Sequence, residues 1–600
     1  MKSPKVIIYL DNIDVDTLSE FECLTEIEYK ISNFYDENLY DNLFYYDFIL
    51  IKNSITYSVA LSNIPITQHR RIIYIDDITN LNKLITEQFI VNTVKDVKSR
   101  GLISVFTTTY RSGEKIKRPF ISLARQTYKY WEWIIIDDSD DKDNTYNMLK
   151  KCSPEFNQVK IFNKNFHSGN IGEMKKLASS MCNGEIIVEL DHDDELLPDC
   201  FETLVDYYNN YPTVNFFYSD FSEIYENGDN FKYSEGWALN YGAYYKQLYK
   251  DKWINVARSA DINAKTMSNI VSVPNHVRTW RKTFLDNIKS YNRGFHVADD
   301  YELLIKTYLK GKMMRIPKLL YIQYKNNNEN NFSIIRNEEV TKLQGLIFDY
   351  YKNKIENRSD ELGLINNFDG LQWELYYDIE NDVGNLMPDK TDEISVIIST
   401  YNRPQKLKRA LQSVLNQTIK NFKIIIIGDC CPKLNGFMED ELYKDERIIW
   451  WNLEKNYNDG GTTPKNYALR MLVNTNYICY LDDDNEYRSN HLETLYKNIK
   501  KPGYQFSFSG INMYKDGERT IIVCDEARKY RIDTSSFMHT YYLIEKYGYW
   551  RTHKEVGYAH DWELVSRWVI SGEKGSPTFK NTLDYDCENS LNDPKLIKNA

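Results

Sequence analysis

The sequence lacks three features that each mark a class of protein. Its nine cysteines include no Cys-x-x-Cys pair, so neither a disulfide framework nor a cysteine metal motif is indicated. No apolar run approaches the roughly 18 residues of a membrane-spanning helix, and the N-terminal run of five apolar residues is too short for the core of a signal peptide. The net charge of −11 lacks the basic excess of nucleic-acid-binding proteins. We therefore expect a cytoplasmic protein with no nucleic-acid partner and no transmembrane segment, for which any membrane contact is peripheral.

The length and the apolar pattern predict several α/β domains. At 600 residues with 42% hydrophobic content, the chain is long enough for about three to four folded domains. Three short β-type runs at 6–10, 48–51 and 71–75 predict a small N-terminal α/β domain over 1–98, which carries no recognisable chemistry. From Ile103 onward, short apolar strands alternate with helical patterns, which is typical of a mainly parallel, Rossmann-like sheet covered by helices.

A repeat extends through most of the chain. Residues from Ile103 onward match residues from Ile394 onward at a constant shift of 291. The matched pairs include Thr109-Tyr110 and Thr400-Tyr401, Gln126-Thr127 and Gln417-Thr418, Asp138 and Asp429, and Leu190-Asp191 and Leu481-Asp482. So many matches at one offset indicate a duplicated domain. We predict one α/β domain over 99–335, a second over 391–600, and a polar, helical connector over 336–390.

Polar side chains follow the predicted strands of both copies where each strand ends. In the first copy these are Thr108, Tyr110, Asp138, Asp191 and Asp193, and in the second they are Ser399, Tyr401, Asp429, Asp482 and Asp484. Because ligands of parallel sheets bind at the carboxyl ends of the strands, we expect each set to form one site. Carboxylates that crowd together need a compensating cation or hydrogen-bond donors, and their oxygens suit Mn²⁺ or Mg²⁺.

This ordered set resembles the nucleotide-binding half of family 2 glycosyltransferases with the GT-A fold, over roughly 103–330 and 394–585. The resemblance implies that Asp138 and Asp429 hydrogen-bond the nucleotide base, in pockets lined by Thr108 and Tyr110 or by Ser399 and Tyr401. It implies that Asp191 and Asp482 lie near the ribose and the metal, whereas Asp193 and Asp484 are the direct ligands of one Mn²⁺ or Mg²⁺ ion per domain. That ion would offset the charge of the departing nucleoside diphosphate.

Each copy carries a second acidic motif further along the chain. Asp300-Tyr301-Glu302-Leu303 in the first copy matches Asp561-Trp562-Glu563-Leu564 in the second. The motif resembles the family segment that carries the general base at the start of a helix, which makes Asp300 and Asp561 the candidate bases. A simple helix-capping role is the alternative.

Four further residues are candidates for accessory roles. Glu302 and Glu563 follow the candidate bases closely enough to orient the base or the acceptor. His276 and His539 precede the bases by 24 and 22 residues, and this parallel placement suggests a role at the donor phosphates, the metal or the acceptor. For a lone histidine, a structural role is the alternative.

The sequence thus predicts a bifunctional, metal-dependent, inverting glycosyltransferase. Each domain would transfer a hexosyl or N-acetylhexosaminyl group from a nucleotide sugar, expected to be a UDP-sugar, to a hydroxyl of a glycan or glycolipid. The spacing between the Asp-x-Asp motif and the base is 107 residues in the first copy and 77 in the second, which suggests different sugar or linkage preferences.

The sequence is compatible with three alternatives. In the first, only one domain is catalytic and the other binds glycan or serves as a scaffold. In the second, the whole chain is a non-catalytic glycan-binding protein. A sugar-nucleotide nucleotidyltransferase is disfavoured because neither copy has a Gly-rich activating loop after its first strand.

Overall fold

The structure is a computed structural model. It describes residues 5–10, 28–33, 48–51, 72–74, 101–152, 158–163, 167–233, 237–250, 252–271, 273–325, 336–361, 389–515, 518–557 and 559–586. Among these residues, no helix is both long enough and apolar enough to cross a membrane. The cytoplasmic location expected from the sequence stays a prediction.

The N-terminal part of the chain contains a four-stranded parallel sheet. Its strands are β1 (Lys5–Leu10), β2 (Glu28–Asn33), β3 (Phe48–Ile51) and β4 (Ile72–Tyr74), in the order β2-β1-β3-β4. Strands lie at all three predicted runs. β2 was not predicted, because its short Glu-Tyr-Lys-Ile-Ser-Asn run is too polar to be distinguished from a loop. The helices expected between the strands lie outside the described residues.

The chain, with this N-terminal sheet included, divides into two compact units whose borders are not those of the predicted domains. The first unit contains residues 1–229 and 267–358, and the second contains residues 230–266 and 359–600. Residues 230–266, which lie inside the first repeat in sequence, therefore belong to the second unit. The predicted connector contains a helix, Asn337–Glu361, most of which groups with the first unit. Residues 362–388 of the connector lie outside the described residues.

The main sheet of the first unit contains four parallel strands, whose carboxyl ends lie at the predicted site. Its strands are β5 (Ile103–Thr109), β6 (Trp131–Asp137), β7 (Val159–Asn163), β8 (Ile186–Glu189), β9 (Glu195–Leu196), β10 (Phe216–Tyr225), β13 (Arg278–Arg281) and β14 (Met313–Lys325). The pairings give the order β7-β6-β5-β8-β13-β10-β14-β9, in which the first four strands are parallel. Strands β5, β6 and β8 are almost wholly buried, as expected for apolar strands covered on both faces.

The second unit repeats this sheet strand for strand. Its strands are β15 (Thr391–Thr400), β16 (Phe422–Gly428), β17 (Ile448–Asn452), β18 (Thr475–Asp482), β19 (Glu486–Tyr487), β20 (Phe506–Lys515), β22 (Phe537–Thr540) and β23 (Gly575–Asp586). Their order is β17-β16-β15-β18-β22-β20-β23-β19. A further strand, β21 (Glu518–Ile522), pairs antiparallel with β20. Two sheets with the same order and the same strand directions confirm the duplication.

Helices connect the strands in both units. In the first unit they are Lys117–Ala124, Asn144–Cys152, Ile171–Ser180, Cys200–Asn210, Lys282–Asn287 and Asp299–Lys310. The helix Ala264–Asn269 lies where the chain passes from the second unit back to the first. In the second unit they are Pro404–Leu415, Leu434–Phe437, Thr462–Tyr467, His491–Ile499, Tyr541–Tyr547, His553–Val556 and His560–Ile570, with a π-helical turn at Ala468–Leu472. Short 3₁₀ turns lie at Gly113–Ile116, Trp237–Asn240, Glu441–Tyr443 and Thr534–Ser536.

A hairpin from the first repeat packs into the core of the second unit. It consists of β11 (Ala243–Tyr249) and β12 (Lys252–Arg258), and β11 pairs with β17 at Lys246 and Trp450. The Trp253 side chain is buried, its ring meets the Trp450 ring edge-on at 6.0 Å, and its indole N–H donates to the Met438 carbonyl at 2.9 Å. Residues 230–266 account for the longer spacing in the first repeat, and they serve as a structural part of the second unit.

We predict that Trp253→Ala destabilises the second unit by about 3–5 kcal/mol, the usual cost of deleting a large buried aromatic side chain. Hydrogen exchange of peptides from β17 measures this loss locally, without requiring the whole chain to unfold in two states. Lys252→Ala, at an exposed position of the same strand, is the matched control and should leave exchange unchanged. Equal exchange in the two variants would show that the hairpin does not stabilise this unit.

Candidate active sites

The predicted residues of the first copy lie together at one edge of the sheet. β5 pairs with both β6 and β8, so the ends of all three strands are neighbours. Thr108 is the penultimate residue of β5, Asp138 follows β6, and Asp191 and Asp193 follow β8. The second copy has the same arrangement, because β15 pairs with both β16 and β18.

A loop after β7 holds the carboxylate of Asp138. The backbone N–H and the hydroxyl of Ser168 each donate to this carboxylate at 2.9 Å, and Nδ1 of His167 lies 3.0 Å from it. The ring of Tyr110 stacks on His167 with centroids 4.5 Å apart. The result is a pocket with one oriented carboxylate beside an aromatic face. The sequence patterns did not identify His167 and Ser168, because the matched positions of the second copy hold Asn458 and Asp459.

The equivalent carboxylate in the second copy is held by backbone alone. The amides of Tyr457 and Asn458 donate to the two oxygens of Asp429 at 2.9 and 3.0 Å. Burial raises the pKa of Asp429. Ser399 lines the strand end close to Gly461, whose φ of +75° and close approach leave no room for a side chain: a Cβ atom there would lie 2.4 Å from the Ser399 hydroxyl.

The Asp-x-Asp loop of the first copy is anchored by its third aspartate. Asp194 is buried and accepts hydrogen bonds from the Tyr321 hydroxyl and the Tyr324 amide, both at 2.8 Å. Burial and the neighbouring carboxylates raise the pKa of Asp194. These bonds tie the loop to β14 and leave Asp191 and Asp193 partly exposed. Asp194 thus has a structural role that explains its presence after the motif.

His276 lies beside this loop. Its Nε2 is 3.4 Å from a carboxylate oxygen of Asp191, and its ring stacks on Tyr321 with centroids 4.6 Å apart. Burial, reinforced by the charge of Arg278, lowers the pKa of His276, which favours the neutral imidazole. The side chain can therefore accept or donate a hydrogen bond next to Asp191 without adding charge.

The Asp-x-Asp loop of the second copy is neutralised by basic side chains. Nη1 of Arg403 lies 3.1 Å from Asp483 and 3.0 Å from Asp484, and Nζ of Lys406 lies 3.6 Å from Asp484. The Thr400 hydroxyl also donates to Asp483 at 2.7 Å. Asn485 occupies the position of Asp194 and has the same anchoring role. Its side-chain oxygen accepts a hydrogen bond from the Asp586 amide, at the end of β23, at 3.2 Å.

The two loops therefore differ in their fit to a divalent cation. Asp191 and Asp193 offer partly exposed carboxylate oxygens, which are suitable donors for Mn²⁺ or Mg²⁺. Asp484 is already paired with two cationic side chains. Across the described ranges, no three His, Cys, Asp or Glu side chains are arranged to hold a metal by themselves.

The candidate base of the first copy belongs to a buried network of charges. Asp300 lies in the first turn of the helix Asp299–Lys310, and its carboxylate is 2.9 Å from Nη1 of Arg278. Arg278 also approaches Glu189 at 3.7 Å, and Lys175 contacts Glu189 at 2.7 Å and Asp299 at 3.5 Å. Burial alone would raise the pKa of Asp300, but the charges of Arg278 and Lys175 hold it below its usual range.

The candidate base of the second copy has a different environment. Asp561 lies in the first turn of the helix His560–Ile570 and accepts from the Trp562 amide at 2.7 Å. The strand register places Phe537 where the first copy has Arg278, and Tyr480 where it has Glu189. No guanidinium within the described ranges pairs with Asp561, and burial raises its pKa to about 6; the charge of Asp482 adds to this and Lys465 opposes it.

Glu302 and Glu563 contact the supporting structure. Glu302 accepts from the Tyr351 hydroxyl at 3.0 Å and pairs with Lys306 at 3.1 Å. Glu563 pairs with Arg551 and Arg567, each at 3.2 Å. In both copies the glutamate and a cation four residues later fasten the helix to its surroundings, so these contacts do not support the predicted role beside the base.

The predicted equivalence of His276 and His539 is wrong. The strand register aligns His539 with Trp280, and Ser535 with His276. His539 is fully buried, and its two ring nitrogens contact the Tyr480 hydroxyl at 2.8 Å and the Thr540 carbonyl at 2.9 Å. The two histidines have similar distances to the bases along the chain only because the intervening loops differ in length.

Comparison with known proteins is consistent with this geometry. The family model described as Glycosyl transferase family 2 matches residues 104–264 and 395–556, which together exceed half of the chain. The chain belongs to glycosyl transferase family 2. The duplicated, mainly parallel sheets have the GT-A fold that membership of family 2 implies.

Several relatives carry glycosyltransferase names. An uncharacterized glycosyltransferase of Rickettsia felis is 22% identical over 418 residues, which cover 68% of this chain and 65% of that protein. The chain thus spans a little under two thirds of that relative's length. A Campylobacter jejuni protein named GalNAc(5)-diNAcBac-PP-undecaprenol beta-1,3-glucosyltransferase is 32% identical over 125 residues, covering 21% of this chain and 40% of that protein. The solved structure of Staphylococcus aureus TarS 1–349 with UDP-GlcNAc is 19% identical, covers 46% of this chain and 78% of that one, and has a TM-score of 0.31.

We predict that Lys175→Met lowers the free energy of unfolding of the first unit by about 3–5 kcal/mol, because buried Glu189 then loses its nearest counter-charge. Urea-dependent hydrogen exchange of β5 and β8 peptides measures this change. Lys176→Met, at the next position, removes only hydrogen bonds to backbone carbonyls and should cost about 1 kcal/mol. Similar losses in the two variants would contradict the network.

Proposed function

We propose that the chain is a tandem glycosyltransferase in which each copy transfers a sugar from a nucleotide sugar, most simply a UDP-sugar, to a hydroxyl of a glycan or glycolipid. The observation that carries this proposal is the recurrence of one constellation: a loop-held aspartate, an Asp-x-Asp loop and a helix-opening aspartate, all near the carboxyl ends of the same strands in both units. The name of the Campylobacter relative, which specifies a lipid-linked acceptor, supports this acceptor class.

Donor binding is proposed to use the strand-end pockets. The carboxylates of Asp138 and Asp429 are oriented by loop amides, so a free lone pair of each can accept from an N–H of the base. The partly exposed rings of Tyr110 and Tyr401 offer stacking surfaces. Asp191 and Asp482 lie two strands away, on the other side of β5 and β15, where the ribose would bind.

In the first copy we propose that Asp193, with Asp191, binds the divalent ion. Because these carboxylates supply too few ligands alone, the diphosphate of the donor would complete the coordination. The bound ion supplies charge stabilisation for the departing nucleoside diphosphate. Asp484 remains the predicted ligand of the second copy, in competition with Arg403 and Lys406.

Asp300 and Asp561 are proposed to accept the proton of the acceptor hydroxyl. As the proton moves to the carboxylate, the hydroxyl oxygen attacks the anomeric carbon and the bond to the nucleoside diphosphate breaks on the opposite face. The sugar is therefore transferred with inversion. The alternative, a single active copy with the other one binding glycan, predicts that one of these aspartates is dispensable for every transfer.

Asp300→Asn and Asp561→Asn test the two-site proposal. Each should reduce one transfer activity by about a hundredfold or more, because general-base catalysis contributes about 10²–10⁴-fold, while UDP binding persists. Product analysis on a panel of nucleotide sugars, with each single variant and the double variant, separates the two activities. If one substitution removed all transfer and the other removed none, the single-active-copy alternative would hold.

The two activities should also differ in pH dependence. Asp561 must be ionised to accept a proton, and burial raises its pKa to about 6. Transfer by the second copy, measured in the Asp300→Asn variant, should therefore fall about tenfold per pH unit below pH 6. Transfer by the first copy, measured in the Asp561→Asn variant, should persist to lower pH, because Arg278 lowers the pKa of Asp300. Coinciding acid limbs would be evidence against these bases.

A further inference from the structure

The two copies place their basic side chains differently around the Asp-x-Asp loop. In the second copy Arg403 forms the ion pairs with Asp483 and Asp484 described above, and Lys406 lies near Asp484. Arg403 immediately precedes Pro404, the first residue of the helix Pro404–Leu415, so the start of that helix fixes its backbone. The Thr400 hydroxyl orients Asp483 from the other side.

The first copy leaves the corresponding carboxylate open. Ser112 takes the place of Arg403, and His192 takes the place of Asp483. Lys115, which corresponds to Lys406, lies 3.8 Å from Glu226 instead. Arg118 lies 2.8 Å from Glu226 and contacts Asp193 only through its backbone carbonyl. Among the described residues, no ion pair occupies the Asp193 carboxylate.

We propose that the copies hold the donor diphosphate with different cations: the first with a divalent ion at Asp191 and Asp193, the second with the guanidinium of Arg403, which Asp483 and Asp484 position. This inference rests on the proposed function. Both ion pairs of Arg403 use Nη1, so Nε and Nη2 can donate a bidentate pair of hydrogen bonds to a phosphate. Lys406 adds a second positive charge at the same loop.

The energetic scale of this difference is modest and measurable. Arg403 is about half exposed, and one exposed ion pair changes a binding constant by no more than about fivefold. A cation that binds Asp484 must displace both Arg403 and Lys406. The second copy should therefore bind Mn²⁺ about threefold to fivefold more weakly than it would without Arg403.

The inference can be tested by titrating the full chain with Mn²⁺ in the presence of UDP. The electron paramagnetic resonance signal measures the free ion. One tighter and one weaker site are expected. Asp193→Ala should remove the tighter site, and Asp484→Ala should leave it. Arg403→Ser should strengthen the weaker site about threefold to fivefold. Arg403→Lys, which keeps the charge, should not.

Arg409→Ser is the matched control, because Arg409 lies on the same helix, is equally exposed and pairs with Glu486 and Asp586 rather than with Asp484. It should leave Mn²⁺ binding unchanged. In EDTA, the Asp193→Ala chain should still bind UDP, and adding Arg403→Ser should abolish that binding. Two equal Mn²⁺ sites, or an unchanged weaker site in Arg403→Ser, would overturn the inference. Loss of UDP binding by both copies under all conditions would instead overturn the proposed function.

Discussion

The crowding of carboxylates at the ends of the central parallel strands is the constraint on which both sites depend. Parallel strands deliver their carboxyl ends to one edge, and in this chain those ends carry or precede aspartates. Like charges at such distances repel and raise one another's pKa, so each must be matched by a cation, a hydrogen-bond donor or a bound ion. Much of the remaining architecture around the strand ends supplies these partners.

The copies satisfy the same constraint with different residues. In the first, Lys175 and Arg278 lie in the interior beneath the site and are paired with Glu189, Asp299 and Asp300. In the second, Tyr480 and Phe537 replace Glu189 and Arg278, so these two positions need no such pairing, and the buried Lys465 pairs with Asp482 instead. The candidate base of the first copy is therefore paired with a guanidinium, whereas the second copy has Phe537 at the position of that arginine.

The sequence was sufficient for the repeat, the fold class and the position of the strand-end aspartates, because these follow from periodicity and from a constant offset. It was insufficient wherever a contact depends on strand register or on a loop. His539 illustrates the first limit: its distance from Asp561 along the chain resembles that of His276 from Asp300, but the register turns it into the core. Residues 230–266 illustrate the second, since nothing in a hairpin sequence states which unit it will pack against.

The two copies differ in charge at the Asp-x-Asp loop and at the candidate base, and the two differences have opposite signs. The first copy has an Asp-x-Asp loop whose Asp193 carboxylate forms no ion pair among the described residues, and its candidate base is paired with Arg278. The second has an Asp-x-Asp loop paired with Arg403, and its candidate base forms no ion pair within the same part of the chain. A degenerate copy would be expected to lose function at both ends together. Here each copy keeps its carboxylates, but the paired arginine lies beside the candidate base in the first copy and beside the Asp-x-Asp loop in the second. This difference is the one expected if the two copies act on different donors or acceptors, as proposed above.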